Sequence, residues 1–273
     1  TVFGGYSGKY ARVRDNICSF NGHGLASNAL LGFAIQPVEG VLVGGTYSTG
    51  YNRYQSASLF KYSYSSSIMG IFSQLKMANG LWGNVDFSSG SVNFQNITRQ
   101  IQLGSALRNE KGNSRGRFSG VAVKAGYDLQ LNRYLTTGPV LGFSYDRARI
   151  NGYHEQADSS TSMRFGGQNV NRRQFTGGWR IEANGLRVNP YLELAYRHEN
   201  ISATSGITAA LKSTGTSFRR DDAGKKTSQW LEARLGMNSA LSENLGVHAV
   251  INLNSGSGGN TSINYATGLN YSF

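Results

Sequence analysis

Apolar residues in this chain recur at every second position, segment after segment, without ever joining into one long run. At the end of the chain Ile263, Tyr265, Leu269, Tyr271 and Phe273 share one parity, against Asn264, Gly268, Asn270 and Ser272. The same pattern appears at Leu25 to Ile35, Val41 to Tyr47, Val121 to Leu129, Leu135 to Tyr145, Val188 to Tyr196 and Val247 to Leu253. A two-residue period places alternate side chains on opposite faces of a strand, so each segment is apolar on one side and polar on the other.

Mean hydropathy is −0.36, and no stretch approaches the roughly 18 apolar residues that cross a bilayer as a helix. In a membrane barrel, however, lipid-facing and lumen-facing residues alternate and cancel in any window average. Segments such as 134–148 and 226–240 stay patterned beyond the roughly five or six residues of an ordinary strand. They reach the nine to eleven or so that a tilted strand needs to cross a membrane. An apolar face against lipid requires a closed sheet, because no water is there to satisfy an open edge.

Five short connections carry turn chemistry, at 36–39, 76–80, 131–133, 184–187 and 242–244. Longer polar segments lie between them, near 15–22, 50–59, 97–116, 149–170, 199–226 and 254–261. Together they predict an all-β fold, a closed antiparallel transmembrane β-barrel of about 12 strands over residues 1–273. The expected topology has short periplasmic turns, long extracellular loops and both barrel termini on the periplasmic side of an outer membrane.

The opposite parity is charged. Lys124, Arg172, Arg180, Glu182, Glu193, Arg197, Glu232 and Arg234 are the expected lumen-lining residues, with Gln174, Glu199, Asp128, Asp86 and Lys9 on the same face. Mixed charge suits a hydrated conduit to which an unfolded chain or a linker helix does not stick; structural ion pairing between strands is the alternative. The net charge of +12 comes from 27 Lys+Arg against 15 Asp+Glu. The basic residues are dispersed, with no aromatic-basic platform, so no nucleic acid partner is expected. Arg147, Arg149, Arg219, Arg220, Lys225 and Lys226 sit near loop bases and suit anionic lipid headgroups, lipopolysaccharide included, or simple solvation. Tyr6, Tyr10, Tyr145, Tyr196, Tyr265, Tyr271 and Phe273 are candidates for interfacial girdles. Leu269, Tyr271 and Phe273 resemble the C-terminal assembly signal read by the barrel-assembly machinery.

No catalytic constellation emerges. Cys18 is alone and sits in a polar segment, so it reads as a loop thiol. None of His23, His154, His198 and His248 stands two positions before a serine, as a barrel phospholipase requires. Asp221-Asp222 reads as a solvated pair, and there is no G-x-S-x-G elbow, metal cluster or phosphate loop. No cofactor or metal is expected, and the chain reads as a non-enzyme. Thr1-Val2-Phe3-Gly4-Gly5 has no signal-peptide character, so the numbering is expected to begin inside a longer precursor.

Specific runs point further. Asn96 to Gly104 (NITRQIQLG) and Arg108 to Gly112 (RNEKG) resemble the autotransporter β-domain of GDSL-type esterases. So do Thr137 to Arg147 (TGPVLGFSYDR), Gly152-Tyr153, Ser162 to Gly166 (SMRFG) and Asn189 to Glu199 (NPYLELAYRHE), and the resemblance covers most of the chain. It implies a twelve-stranded, monomeric translocator of type V secretion, inserted by the barrel-assembly machinery, which anchors and exports an N-terminal passenger through its linker helix. In that family the passenger carries a Gly-Asp-Ser-Leu nucleophile motif. No such motif occurs here, so esterase activity belongs to an upstream passenger. A diffusion porin and a surface adhesin with ligand-binding loops are the alternatives.

Overall fold

Twelve long strands form the wall of the molecule. In chain order they are β1 (Val2–Val13), β2 (Gly22–Val38), β3 (Val41–Ser56), β4 (Phe60–Lys76), β5 (Leu81–Leu103) and β6 (Ala106–Tyr127). After the short β7 (Leu129–Asn132) come β8 (Leu135–Ile150), β11 (Gln168–Ala183), β12 (Val188–Ala203), β15 (Lys225–Ala240), β16 (Leu245–Gly256) and β17 (Thr261–Tyr271). The computed structural model describes residues 1–13, 22–56, 60–203, 207–220 and 225–273. Cys18 and the Asp221-Asp222 pair lie outside these residues, as do the side chains of Arg220, Lys225 and Lys226.

Each long strand pairs antiparallel with the next, and β17 pairs with β1 from Val2↔Tyr271 to Arg12↔Thr261, which closes the sheet. Closure leaves no edge strand in the wall. A second sheet of four short strands, β9 (Tyr153–His154), β10 (Met163–Phe165), β13 (Ile207–Leu211) and β14 (Ser217–Arg220), sits beyond one end in the order β14-β13-β10-β9.

The alternation turns the chain inside out relative to a protein folded in water. Leu31, Met69, Leu141 and Leu231 stand on the outer wall with 66–69% of their surface exposed, while Glu193 and Glu232 are 2% and 3% exposed within it. An apolar band of this extent is stable only against lipid.

The polar segments near 50–59 and 97–116 differ from the loops expected of them. β3 continues to Ser56 and β4 resumes at Phe60. β5 and β6 run on as one hairpin to Leu103↔Ala106, with Gly104 at φ 61° in its tight turn. Hydrophilic side chains do not prevent a strand when the partner strand takes up every backbone group. The 23 residues of β5 span roughly 75 Å, about three times the height of a lipid-facing band. A bulge between Phe94 and Ile97, with Asn96 at φ 54° and its amide held by Asn113 Oδ1 at 3.1 Å, marks where the hairpin leaves the wall's register.

At the opposite end the connections are short. β2 and β3 are joined through Glu39 and Gly40, the latter at φ 78°. Here the Thr1 amine donates to Ala34 O at 3.0 Å, and Thr1 Oγ1 lies 2.9 Å from Ser272 Oγ, so both ends of the chain meet at the short-turn mouth. Phe3 and Phe72 meet edge-on inside this mouth, with ring centroids 5.9 Å apart. Gly32 and Gly44 make room for them: a Cβ would fall 2.3 Å from the Phe3 ring and 2.5 Å from the Phe72 ring.

Candidate functional site

The inner wall of β6, β11, β12 and β15 carries all eight of the charged positions singled out from the sequence. The pairings β6–β8, β8–β11, β11–β12 and β12–β15 run without a register shift, so no bulge exchanges the inner and outer faces there.

Lys124 Nζ donates to both oxygens of Glu193 at 2.9 and 2.8 Å, although β8 and β11 stand between their strands; the contact crosses the barrel interior. Arg234 lies 3.6 Å from Glu193 and 3.3 Å from Glu232, and donates from Nε to Asn252 Oδ1 at 3.0 Å. Arg197 closes on Glu232 at 2.6 Å. A second group joins Arg172 to Asp146 at 2.5 Å and to Glu199 at 3.5 Å. Arg180 pairs with Glu182 at 2.6 Å while its guanidinium covers the Tyr191 ring at 4.6 Å. Among the described residues the Nε atoms of Arg180 and Arg197 are buried without a partner. Each of these five cations thus meets a carboxylate, which a buried carboxylate requires to stay ionised.

The charge is one-sided. The inner faces of β2, β3 and β4 carry small and uncharged residues such as Asn28, Gly32, Gly44, Thr46, Ser48 and Ser66, with apolar Ala26, Leu30, Leu42 and Ile68 among them, and near the long-loop end a group of rings. Tyr54, Tyr62, Tyr64 and Phe94 meet at centroid distances of 5.2–6.3 Å. The sequence reading passed over this cluster; Tyr62 and Tyr64 share the polar parity of β4, which was its only signal.

Two further carboxylates lie in the cap beyond the wall, and both escaped the sequence analysis. Glu110, 1% exposed, accepts from Ser159 Oγ, from Thr161 Oγ1 at 2.6 Å and from Ser162 Oγ at 3.0 Å. Burial pushes its pKa up, but the three hydroxyl donors and the nearby Arg99 outweigh this and hold it below its ordinary value of 4.5. Glu155, 2% exposed, takes a two-pronged contact from Arg99 at 3.0 and 2.7 Å and the Met163 amide at 2.8 Å. Arg99 also reaches Thr161 O at 2.8 Å, and Lys212 brings in the carbonyls of Glu155 and Ala157 at 3.2 and 2.9 Å. Tyr153 stacks on Phe165 at 4.9 Å, its hydroxyl pushed up to about 12 by burial and by Glu155. The β5–β6 hairpin, the 151–167 connection and β13 are thereby fastened together.

Leu269, Tyr271 and Phe273 stand exposed on the outer wall, the last two rings edge-on at 5.2 Å. Tyr6, Tyr10, Tyr196 and Tyr265 are exposed there too. Among the described residues no three His, Cys, Asp or Glu side chains gather as a metal site.

The family described as Autotransporter beta-domain matches residues 2–252. Lipase 1 of Photorhabdus luminescens is 30% identical over 272 residues, which is all of this chain and 40% of that protein. Esterase EstA of Pseudomonas aeruginosa is 25% identical over 138 residues, half of this chain and 21% of that protein. The chain therefore spans less than half the length of either relative. Among solved structures, the translocator domain of autotransporter NalP from Neisseria meningitidis superposes with a TM-score of 0.76 at 13% identity, covering all of this chain and 87% of that one. The β domain of the Bordetella autotransporter BrkA gives 0.71 at 14%, covering both chains in full. With an apolar outer wall, a charged lumen and a twelve-stranded closed sheet in hand, the match settles the family: this chain belongs to the autotransporter β-domains, integral barrels of the outer membrane.

Proposed function

We propose that residues 1–273 form the translocator of a longer protein, which anchors and exports an N-terminal passenger at the cell surface, and that this passenger is a GDSL-type esterase. The observation that carries the reading is the place of Thr1. It sits at the short-turn mouth on the inner-facing parity of β1, hydrogen-bonded to Ala34 and Ser272, so a segment leading into it starts at the lumen. A linker helix entering there passes the Lys124–Glu193–Arg234 group, where donors and acceptors already satisfy one another and offer an unfolded chain no apolar surface to adhere to.

In this reading the short turns and both termini are periplasmic, and the capped hairpin faces the medium. Lys124, Arg172, Arg180, Glu182, Glu193, Arg197, Glu232 and Arg234 line the route, and Leu269, Tyr271 and Phe273 are the segment recognised by the barrel-assembly machinery. The barrel acts as a monomer in contact with outer-membrane lipid, and ester hydrolysis belongs to the passenger, as the names of Lipase 1 and Esterase EstA suggest.

The test is protease added to intact cells that express the native upstream region with and without residues 1–273. Digestion of the upstream region only when the barrel is present is the expected result. An upstream region that stays protected while the barrel inserts and conducts small solutes makes the protein a porin instead.

A further inference from the structure

Above the apolar band the outer wall turns basic, and most densely over β6, β8 and β11. Arg115 and Arg117 of β6, Arg147 and Arg149 of β8 and Arg173 of β11 occupy the same parity as Val121, Val123, Leu141, Phe143 and Phe175, and all five are exposed. Arg117 and Arg149 are direct cross-strand partners. Arg149 Nε donates to Asn169 Oδ1 at 3.1 Å, and Arg173 lies 5.9 Å from the Tyr145 ring. Among the described residues none of the five forms an ion pair, unlike the arginines of the lumen. Their outward neighbours in register are Ser91, Asn93, Ser119 and Asn171. Like charges directly opposite each other on a sheet repel, so this patch is incomplete without an anion.

Its depth says which anion. From Phe143 to Arg147 and from Val121 to Arg117 is four residues along a strand, roughly 13 Å, which sets the guanidiniums at headgroup level above the acyl region. We propose that β6, β8 and β11 hold a binding site for a phosphorylated glycolipid, its phosphates forked by Arg117, Arg149 and their neighbours and its acyl chains lying over Leu141, Phe143 and Phe175. Guanidinium matches phosphate with two parallel hydrogen bonds. The glycolipid is lipopolysaccharide, an assignment that rests on the topology proposed above, with the long-loop end in the outer leaflet. Arg12 and Arg53, also exposed at that end, are the internal contrast: they stand on β1 and β3 with β2 between them, and Arg53 faces Leu25.

The test titrates the full-length protein, stripped of lipid in detergent, with diphosphoryl lipid A, monophosphoryl lipid A and phosphatidylglycerol, and reads bound lipid by native mass spectrometry. R117Q/R149Q is expected to lose diphosphoryl lipid A affinity about tenfold, while R12Q/R53Q, which removes the same charge, stays within about twofold. R117K/R149K keeps the charge without the fork and is expected between them, which covers the case in which the glutamine pair fails to fold, as judged by heat-modified gel mobility. Equal loss in the 117/149 and 12/53 variants, or phosphatidylglycerol binding as tightly as lipid A, overturns the site. The topology is tested apart from it: Ser105→Cys in a Cys18→Ser background reacts with an impermeant maleimide on intact cells if the hairpin faces outward, and its failure to react overturns the leaflet without touching the titration.

Discussion

The barrel lumen and the cap each bury two glutamates, and they neutralise them by different means. Glu193 and Glu232 lie against Lys124, Arg197 and Arg234 and share Arg234 between them; these cations are about a quarter exposed, as is Arg99 in the cap. Glu110 instead rests on three hydroxyls, with no ion pair among the described residues, and Glu155 on one arginine and a backbone amide. The lumen carboxylates therefore have an alternative cation within reach, whereas the cap contacts each tie the hairpin to one short segment, 155–163. The difference teaches that partners can be exchanged within the lumen network, which suits the conduit proposed above, while the cap contacts define one docked position of one loop.

The comparison breaks most sharply at Glu155. Glu155→Ala leaves Arg99 with only the Thr161 carbonyl and frees the Met163 amide, a loss of about 3–5 kcal/mol by the usual cost of removing one member of a buried pair. Limited proteolysis is expected to cut within 151–167 of the variant, with the heat-modified mobility of the barrel unchanged. If the barrel itself destabilises, the cap is not the independent unit described. Glu193→Ala is expected to cost less, about 1–3 kcal/mol, because Arg234 keeps Glu232 at 3.3 Å and no buried backbone amide loses its acceptor. Urea unfolding in detergent measures it, and the charge-swapped pair K124E/E193K recovering at least half of the loss shows that the contact is pairwise. A Glu193 loss as large as that of Glu155 removes the distinction between the two regions.

The wall was legible in the sequence because a period of two, repeated at spans long enough to cross a membrane, leaves few folds open, and because the eight charged positions lie on strands whose register never slips. The cap was not. Of its strands, 106–116 is polar on both sides, and although Ile97, Ile101 and Leu103 share one parity of 97–103, that run is short and broken by Arg99, so hydrophobic patterning did not separate a projecting hairpin from a loop; what makes them strands is their pairing with each other, from Leu103↔Ala106 to Ile97↔Gly112. The same holds for Glu110 and Glu155, which are buried by each other's segments across 45 positions of chain and not by any local apolar context. Of the runs that carried the family resemblance, Asn96 to Gly104, Arg108 to Gly112, Gly152-Tyr153 and Ser162 to Gly166 lie in or beside this cap, while Thr137 to Arg147 and Asn189 to Glu199 lie in the wall, so the resemblance did not mark the cap as a separate unit.

Acid sharpens the comparison with the smallest expected effect. The pKa of Glu110 is lower in the folded cap than its ordinary value of 4.5, so the unfolded loop binds the proton more readily than the docked one. Its contribution to docking is then fully present above pH 4.5 and is lost as pH falls through the depressed folded value. Hydrogen exchange of the 159–163 amides is expected to be constant from pH 7 to about 5, after correction for intrinsic rates, and to accelerate below about 4.5. Glu110→Gln keeps the shape and removes the titration, so it is expected to exchange faster by a pH-independent factor that corresponds to about 1–2 kcal/mol. Acceleration that persists in Glu110→Gln assigns the acid sensitivity to another carboxylate, of which Asp158, paired with Lys212 on the surface of the same loop, is the first to replace.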